Sequence, residues 1–474
     1  MIDLSLFAGK PVAVMGLARS GLAAARALAA GGAEVRAWDD GETSREAARA
    51  AGLTLTDLSD AKNWDSVKTL VLSPGIPHTH PAPHISATRA RETGAEIIGD
   101  VELLIRACPE VRLVAITGTN GKSTTTALLG HILRLAGCKL EVGGNIGRPV
   151  IEFKPLGNDG YYVLELSSYQ LELVPSLACD VALLINIAPD HLDRHGGMEG
   201  YIAAKRRIFD GQPRGATAII GLDDSESRRV YEELSATSAE TGVRVIGISA
   251  TQPVAGGVYA LDRILYDDLD GEAAGIMALG EVESLPGNHN AQNAAAAYAA
   301  ARAICLKSGT IADGIRSFPG LPHRLQLIDK IDGIRYINDS KATNAEAAAR
   351  ALASYDNIYW IAGGRAKEGG LTALDPYLSH VRRAFLIGES ANYMAAELRG
   401  RVDTKISGDL RTAIQDARNA ALRDGIAGAV VLLSPACASF DQFKDFELRG
   451  IEFQKLVAET PRGSLRNSKR GETA

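Results

Sequence analysis

The segment Leu113 to Thr126, LVAITGTNGKSTTT, carries the groups that phosphate chemistry requires. An apolar run, Leu113 to Ile116, breaks into Thr117, Gly118, Thr119, Asn120, Gly121, Lys122 and Ser123, and the residues from Thr124 to Leu135 read as a helix. Strand, glycine loop and helix in that order are the setting of a phosphate-binding loop. Loop N–H groups and the helix N-terminus offer partial positive charge to phosphate oxygens, and Lys122 adds a full charge. A hydroxyl from Ser123 or Thr124 can ligate Mg²⁺, an ion that prefers oxygen ligands and the company of phosphate. The spacing departs from the usual motif, because only Thr119 and Asn120 separate the glycines. The plain alternative is a glycine-rich turn that happens to carry Lys-Ser; the flanking strand and helix favour phosphate.

Further chemistry-bearing residues stand where apolar runs end. Tyr162 to Glu165 is an apolar strand closing on a carboxylate, the place where nucleotide-hydrolysing folds put a magnesium-directed acid. Gly143 to Gly147 is a turn displaying Asn145, and Asp190, His191, Asp193, Arg194 and His195 follow the buried run Val181 to Ile185. Acids, imidazoles and an Arg gathered at one strand end favour a site over packing. Lys205 lies in an expected helix, Tyr201 to Phe209, where its spacing gives no reason to single it out. Asn290 and Asn293 open an alanine-rich helix that ends near Ile304, while residues 223–280 include acidic, glycine-rich and Ser/Thr-rich loops around an expected strand, Val243 to Ile246, and show no chemistry. Beyond His323 and Arg324, strand ends display Asn338 to Lys341, then Gly363 and Gly364 with Lys367 beyond, Gly388-Glu389, and Ser434 to Phe440.

The elements that must position these groups are parallel sheets, whose carboxyl edges carry such loops. An N-terminal unit adds a third instance: strand Pro11 to Met15, Gly16 to Gly21, a helix to Ala30, then strand Glu34 to Trp38 closing on Asp39. That pattern resembles a dinucleotide fingerprint with Ala18 in place of the middle glycine, and taken alone it suggests NAD. A third strand, Thr69 to Leu72, stops at Ser73, Pro74 and Gly75, and residues 98–108 read as a link to the next domain. The run Pro77 to His84, with three histidines among three prolines, reads as an extended loop rather than a metal site.

The length of 474 residues suggests about three domains. A net charge of −6 argues against bulk nucleic-acid binding, and no apolar run reaches a membrane span. Five scattered cysteines and the absence of a signal-peptide pattern lead to an expected cytoplasmic location. No base-reading Asn-Lys-x-Asp segment of a hydrolytic switch is present. Three ligand-sized α/β units, one with a triphosphate loop, therefore suggest ATP-driven ligation: phosphorylating a carboxylate makes an acyl phosphate that an amine can attack.

Gly118 to Thr124, Gly144-Asn145-Ile146-Gly147, Glu165 to Ser168, Asp190-His191-Leu192-Asp193-Arg194, Ala204-Lys205, His289-Asn290 with Asn293, Pro322-His323-Arg324 and Asn338 to Asn344 together resemble the ATP-dependent Mur ligases. The segment Ser434 to Phe443 with Phe446 looks like the members that add D-glutamate to UDP-N-acetylmuramoyl-L-alanine. The resemblance implies a Rossmann-like domain over residues 1–103 for the UDP substrate, a central P-loop ATPase-like domain over 104–320, and a Rossmann-like amino-acid domain over 321–460. A frayed tail is expected over 461–474. It implies that Arg19, Asp39, Ser73, Pro74, Gly75, Asn145 and His191 contact the UDP substrate, and that Gly118, Thr119, Asn120, Gly121, Lys122, Ser123 and Thr124, with Asn290, Asn293, Arg324 and Asp339, bind ATP. D-glutamate would meet Lys341, Thr343, Lys367, Ser439, Phe440 and Phe446. Lys122, Glu165, His191 and Lys205 would carry the catalysis, and two Mg²⁺ would lie among Ser123, Glu165, His191 and Lys205, the last as a carbamate. A monomer, with neither nucleic acid nor membrane as partner, is expected.

Two positions depart from the pattern: Phe440 replaces a smaller aliphatic residue, and Gly364-Arg365-Ala366-Lys367 replaces a Gly-Asp-Gly-Lys-like turn. The alternatives are a sister ligase for another amino acid or for folate, a nicotinamide oxidoreductase, and a nucleotide sensor without catalysis.

Overall fold

A computed structural model describes residues 1–366 and 370–462; Lys367 and most of the expected tail lie outside them. The chain divides into two compact units, one of residues 1–279 with 288–318, the other of 280–287 with the chain from Pro319.

The first unit holds two sheets. The smaller is wholly parallel, in the order Glu34–Trp38, Pro11–Met15, Thr69–Leu72, Glu96–Ile98. Because the chain passes from the central Pro11–Met15 to one side and then the other, the loops at Gly16 and Ser73 open together, as ligand-binding loops of such sheets do. Residues 98–108, read as a link, form the helix Asp100–Ala107.

The larger sheet has nine strands. Lys139–Gly144, Gly160–Glu165, Arg112–Thr117, Val181–Leu184, Thr217–Gly221, Arg244–Ser249 and Val258–Leu261 run parallel in that spatial order. Ile264–Asp267 and Ala274–Ala278 extend it antiparallel. The stretch 223–280, expected to hold loops around one strand, thus supplies four strands and the helix Ser225–Thr241. Strands buried on both faces need continuous apolar runs. Gly160–Glu165 has one and is buried at every residue; its Val163 and Leu164 each contribute about 1.5–3 kcal/mol on burial. Asn288–Ala303 is buried from Asn290 through Ala301, and its alanines let it lie close against the helix Lys122–Leu135.

The second unit carries a six-stranded sheet in the order Gln326–Ile331, Ile334–Asn338, Val430–Leu433, Ile358–Gly363, Val381–Ile387, Thr404–Gly408, antiparallel only at its first pair. Val430–Leu433 comes last in the chain yet lies between two earlier strands. The loops after Asn338, Gly363 and Leu433 therefore emerge side by side.

Candidate active site

The loop from Gly118 to Gly121 leaves the sheet where Ile116 pairs with Glu165 on one side and Thr117 pairs with Leu184 on the other. Gly121 is the N-cap of Lys122–Leu135 at φ 84°, a left-handed conformation that glycine adopts without strain. A Cβ there would sit 2.1 Å from Asn293 Oδ1, so only glycine lets the alanine-rich helix press its first turn against the loop. Asn293 donates to Asn290 Oδ1 at 3.0 Å and accepts from Thr125 Oγ1 at 3.3 Å. The asparagine pair, read as opening this helix, is buried, with Asn293 against the phosphate loop.

Three further side chains hold the loop, and none was expected in the site. Asn186 Oδ1 accepts from the Asn120 N–H at 2.9 Å, and its amide donates to Gln292 Oε1 at 3.2 Å. Gln292 in turn donates to Asp223 Oδ2 at 3.0 Å, which also accepts from the Ala250 N–H. Their signal in the sequence is only that each is polar at a strand end or in a helix's first turn.

Lys122 Nζ donates to the carbonyls of Gly118 at 2.8 Å and Thr119 at 2.9 Å, curling over its own loop. Lys205 Nζ reaches the same Gly118 oxygen at 2.8 Å and lies 4.6 Å from the Tyr201 ring centroid. Lys205 is buried, not on a solvated helix face. Burial, and then the charge of Lys122, lower its pKa well below the usual lysine range, while Asp190 acts in the opposite sense.

Glu165 is buried at the end of its strand. Its Oε1 accepts from Asn145 Nδ2 at 2.7 Å, and its Oε2 is buried with no hydrogen-bond partner. An unsatisfied buried carboxylate oxygen is costly unless a cation meets it. With the Ser123 hydroxyl in the first turn of the helix that follows the adjacent strand, it suits Mg²⁺, which takes one or two protein oxygens and completes its shell with water and phosphate. Among the described residues no three His, Cys, Asp or Glu side chains converge as a metal cage, the His78 to His84 loop included. His191 caps the short helix Leu192–His195 at φ 51°, half-exposed, its Nε2 3.5 Å from Asp190 Oδ2 and its ring 5.1 Å from that of Tyr169.

In the smaller sheet, Asp39 binds backbone: Oδ2 accepts from Leu17 N at 2.6 Å and Oδ1 from Gly41 N at 2.7 Å. It fixes the glycine turn that precedes the exposed Arg19. Ser73 Oγ donates to the Gly16 carbonyl at 3.0 Å, tying the two ligand loops together. Pro74 and Gly75 follow, and the Gly75 carbonyl accepts from Arg194 Nη1 at 2.9 Å, which joins this loop to the segment carrying His191.

In the second unit Asp339 is buried between strands, accepting from Ser434 Oγ at 2.8 Å and Leu325 N at 3.2 Å; burial pushes its carboxyl up to about 7. Arg324 is exposed two residues before that sheet begins. Lys341 Nζ sits 4.5 Å from the Phe446 ring centroid, and its carbonyl accepts from Thr343 N at 2.8 Å. Ser439 is buried, and Phe440 is 65% exposed. The departing Arg365 pairs its backbone with Ala438 in both directions and its guanidinium with Glu389. That holds the turn before Lys367 against the loop carrying Ser439.

Residues 116–301 match the Mur ligase middle domain, and 323–437 match the Mur ligase glutamate ligase domain. The UDP-N-acetylmuramoylalanine–D-glutamate ligase of Rhodospirillum rubrum is 51% identical over 463 residues, covering 97% of this chain and 96% of that one. The ligase of the same description from Phenylobacterium zucineum is 50% identical, with 96% and 98% covered. Among solved structures, the UDP-N-acetylmuramate–alanine ligase of Thermotoga maritima aligns over 95% of this chain and 99% of its own at a TM-score of 0.57 and 17% identity, a likeness of fold. The chain belongs to the Mur ligase family, alongside these UDP-N-acetylmuramoylalanine–D-glutamate ligases.

Proposed function

We propose that this chain uses ATP to join the amine of D-glutamate to the carboxylate of UDP-N-acetylmuramoyl-L-alanine, a step in peptidoglycan precursor synthesis. The observation that carries this reading is the half-identity, over nearly the whole length, to ligases of that description. The phosphate loop beside a buried, half-satisfied Glu165 agrees with it.

In this reading the carboxylate attacks the γ-phosphorus of ATP, ADP leaves, and the acyl phosphate is attacked by the free amine. The tetrahedral intermediate then expels phosphate and leaves an amide. Carboxylate and γ-phosphate are both anions that must approach to about 3 Å. The chain's contribution is therefore to supply positive charge and hold geometry. Lys122 uncurls from the Gly118 and Thr119 carbonyls to meet phosphate, and Asn290 with Asn293 keeps the loop in place. Mg²⁺, when bound, would supply further positive charge to offset the repulsion of the two anions. Ser123, Glu165 and His191 would hold it, and Lys205, as a carbamate, would add an anionic ligand for a second ion. Arg19, Asp39, Ser73 to Gly75 and Asn145 shape the UDP-substrate site, with Asp39 acting through the loop backbone. Lys341, Thr343, Ser439, Phe440 and Phe446 orient D-glutamate. The presence of three sheets supports a partition into 1–103, 104–320 and 321–460, and the use of ATP and a UDP-linked sugar supports a cytoplasmic location.

The deciding experiment is phosphate release from ATP, required to depend on both UDP-N-acetylmuramoyl-L-alanine and D-glutamate. Release with L-glutamate or another amino acid in place of D-glutamate would point to a sister ligase. Lys122→Ala is expected to lower the rate about 10³-fold or more with an unchanged circular-dichroism spectrum; retained turnover removes Lys122 from its role.

A further inference from the structure

The histidine-bearing loop that follows Gly75 has no part in the scheme above, yet it is bound to the larger sheet by an ordered set of side chains. His78 Nε2 lies 3.3 Å from Glu172 Oε2, and the other carboxylate oxygen, Oε1, lies 3.2 Å from His195 Nδ1. His195 is fully buried, with Nε2 2.9 Å from Ser168 Oγ, and its ring stacks on Tyr169 at 5.3 Å and 18°. One carboxylate is thus shared by two imidazoles, one from each sheet. The shared acceptor sets both rings: an ionised carboxylate only accepts, so each imidazole presents an N–H to Glu172, while the other nitrogen of His195 pairs with the Ser168 hydroxyl. The backbone closes in as well, since a Cβ on Gly196 would lie 2.9 Å from His80 Nε2. Arg194, its guanidinium 4.6 Å from the Tyr169 ring centroid, reaches the Gly75 carbonyl from the same segment.

We infer that Glu172 and His195 are positioning residues for the UDP-linked substrate: they lock the loop Ser73 to His78 onto the turn just past Glu165. A sugar nucleotide held by the smaller sheet then presents its carboxylate at the phosphate loop. The inference rests on the reading above, in which Ser73 to Gly75 contact that substrate. Its physical basis is that a fixed placement of the remote part of a substrate sets the reacting end, and a displacement of about 1 Å there costs on the order of 10²-fold in rate. A loop with three prolines has little means of its own to bond to a neighbouring sheet, and Glu172 supplies the acceptor.

The test uses the full-length chain and three Michaelis constants. His78→Ala and Glu172→Ala are each expected to raise KM for UDP-N-acetylmuramoyl-L-alanine about tenfold or more, with KM for ATP and for D-glutamate within twofold of the parent. The double variant should be no worse than Glu172→Ala alone, because both changes break one linkage. Glu172→Gln, which keeps one acceptor oxygen, should fall between. If Glu172→Ala does not fold, His78→Ala on the surface loop gives the same reading. An unchanged KM for the UDP substrate in His78→Ala, or equal rises for all three substrates, overturns the inference. A parent chain that releases no phosphate with the three substrates fails the proposed function itself; an active parent with indistinguishable variants fails only the positioning role.

Discussion

Lys122 and Lys205 share one acceptor, the Gly118 carbonyl, each at 2.8 Å. Two ammonium groups at such range repel strongly where little water screens them, and burial together with the Lys122 charge lowers the Lys205 pKa well below the usual lysine range. In the proposed scheme the Lys205 amine, once neutral, would attack CO₂, forming the N–C bond of a carbamate and releasing a proton. The carbamate would carry a negative charge, converting a neighbour that as an ammonium competes with Mg²⁺ into one able to bind it. Lys205→Arg is the discriminating substitution, because a guanidinium keeps its charge under all working conditions. It is expected to lower turnover by about 10²-fold or more and to abolish a carbamate signal that the parent shows in carbon NMR with labelled bicarbonate. An Arg variant with parental turnover, or a parent without the signal, removes the carbamate from the scheme. This residue also marks what the sequence could not convey. Glu165 and Lys122 are legible because each stands where an apolar run stops. Lys205 sits in a basic helical run, and its burial depends on how the helix Met198–Arg206 packs, which no local pattern encodes.

Strands and their end loops are the elements that build the site, and most were legible from apolar runs of four to six residues closed by glycine or polar residues. The far edge of the larger sheet was not, because Val258–Leu261, Ile264–Asp267 and Ala274–Ala278 are short and lie among glycines and acids that mimic loop composition. Nor could the sequence tell which loops meet. The clasp made by Glu172 is a case in point, and it should leave a mark on stability. Burial works to raise the Glu172 pKa, but hydrogen bonds from His195 and then His78 outweigh it, holding the carboxyl at about 2. The folded chain therefore binds this proton more weakly than the unfolded chain, whose value is 4.5. The stabilisation is fully present above that value and is lost as pH falls toward about 2. Denaturant unfolding should show Glu172→Gln less stable than the parent by about 1–3 kcal/mol at pH 7, since charge-assisted hydrogen bonds are lost. The gap should narrow below about pH 4.5. A gap that is independent of pH down to the acid limit would mean that the carboxylate charge plays no part.

At the scale of the whole chain, the two compact units are interleaved in sequence: residues 280–287 belong to the second, 288–318 return to the first, and the chain from Pro319 stays in the second. A chain so divided has no obligation to melt in one step. The proposed sites are distributed unequally, with the phosphate loop, Glu165 and the Ser73 loop in the first unit, and Lys341, Ser439 and Phe446 in the second. Each ligand should therefore stabilise the unit that holds its contacts. A ligand at about 100 times its Kd adds about 2.7 kcal/mol to the state that binds it, which raises a melting temperature by roughly 5 °C for a unit of this size. Scanning calorimetry is expected to show that UDP-N-acetylmuramoyl-L-alanine and magnesium ATP each raise the transition of the first unit, whereas D-glutamate raises that of the second. Hydrogen exchange followed by peptide mapping would assign the transitions to their units. Lys122→Ala should erase the ATP shift and keep the UDP-substrate shift, because the Ser73 loop and its clasp are intact. If the UDP substrate protected only residues beyond Pro319, or if Lys122→Ala removed both shifts, the assignment of ligands to sheets would be wrong, whatever the turnover of the parent.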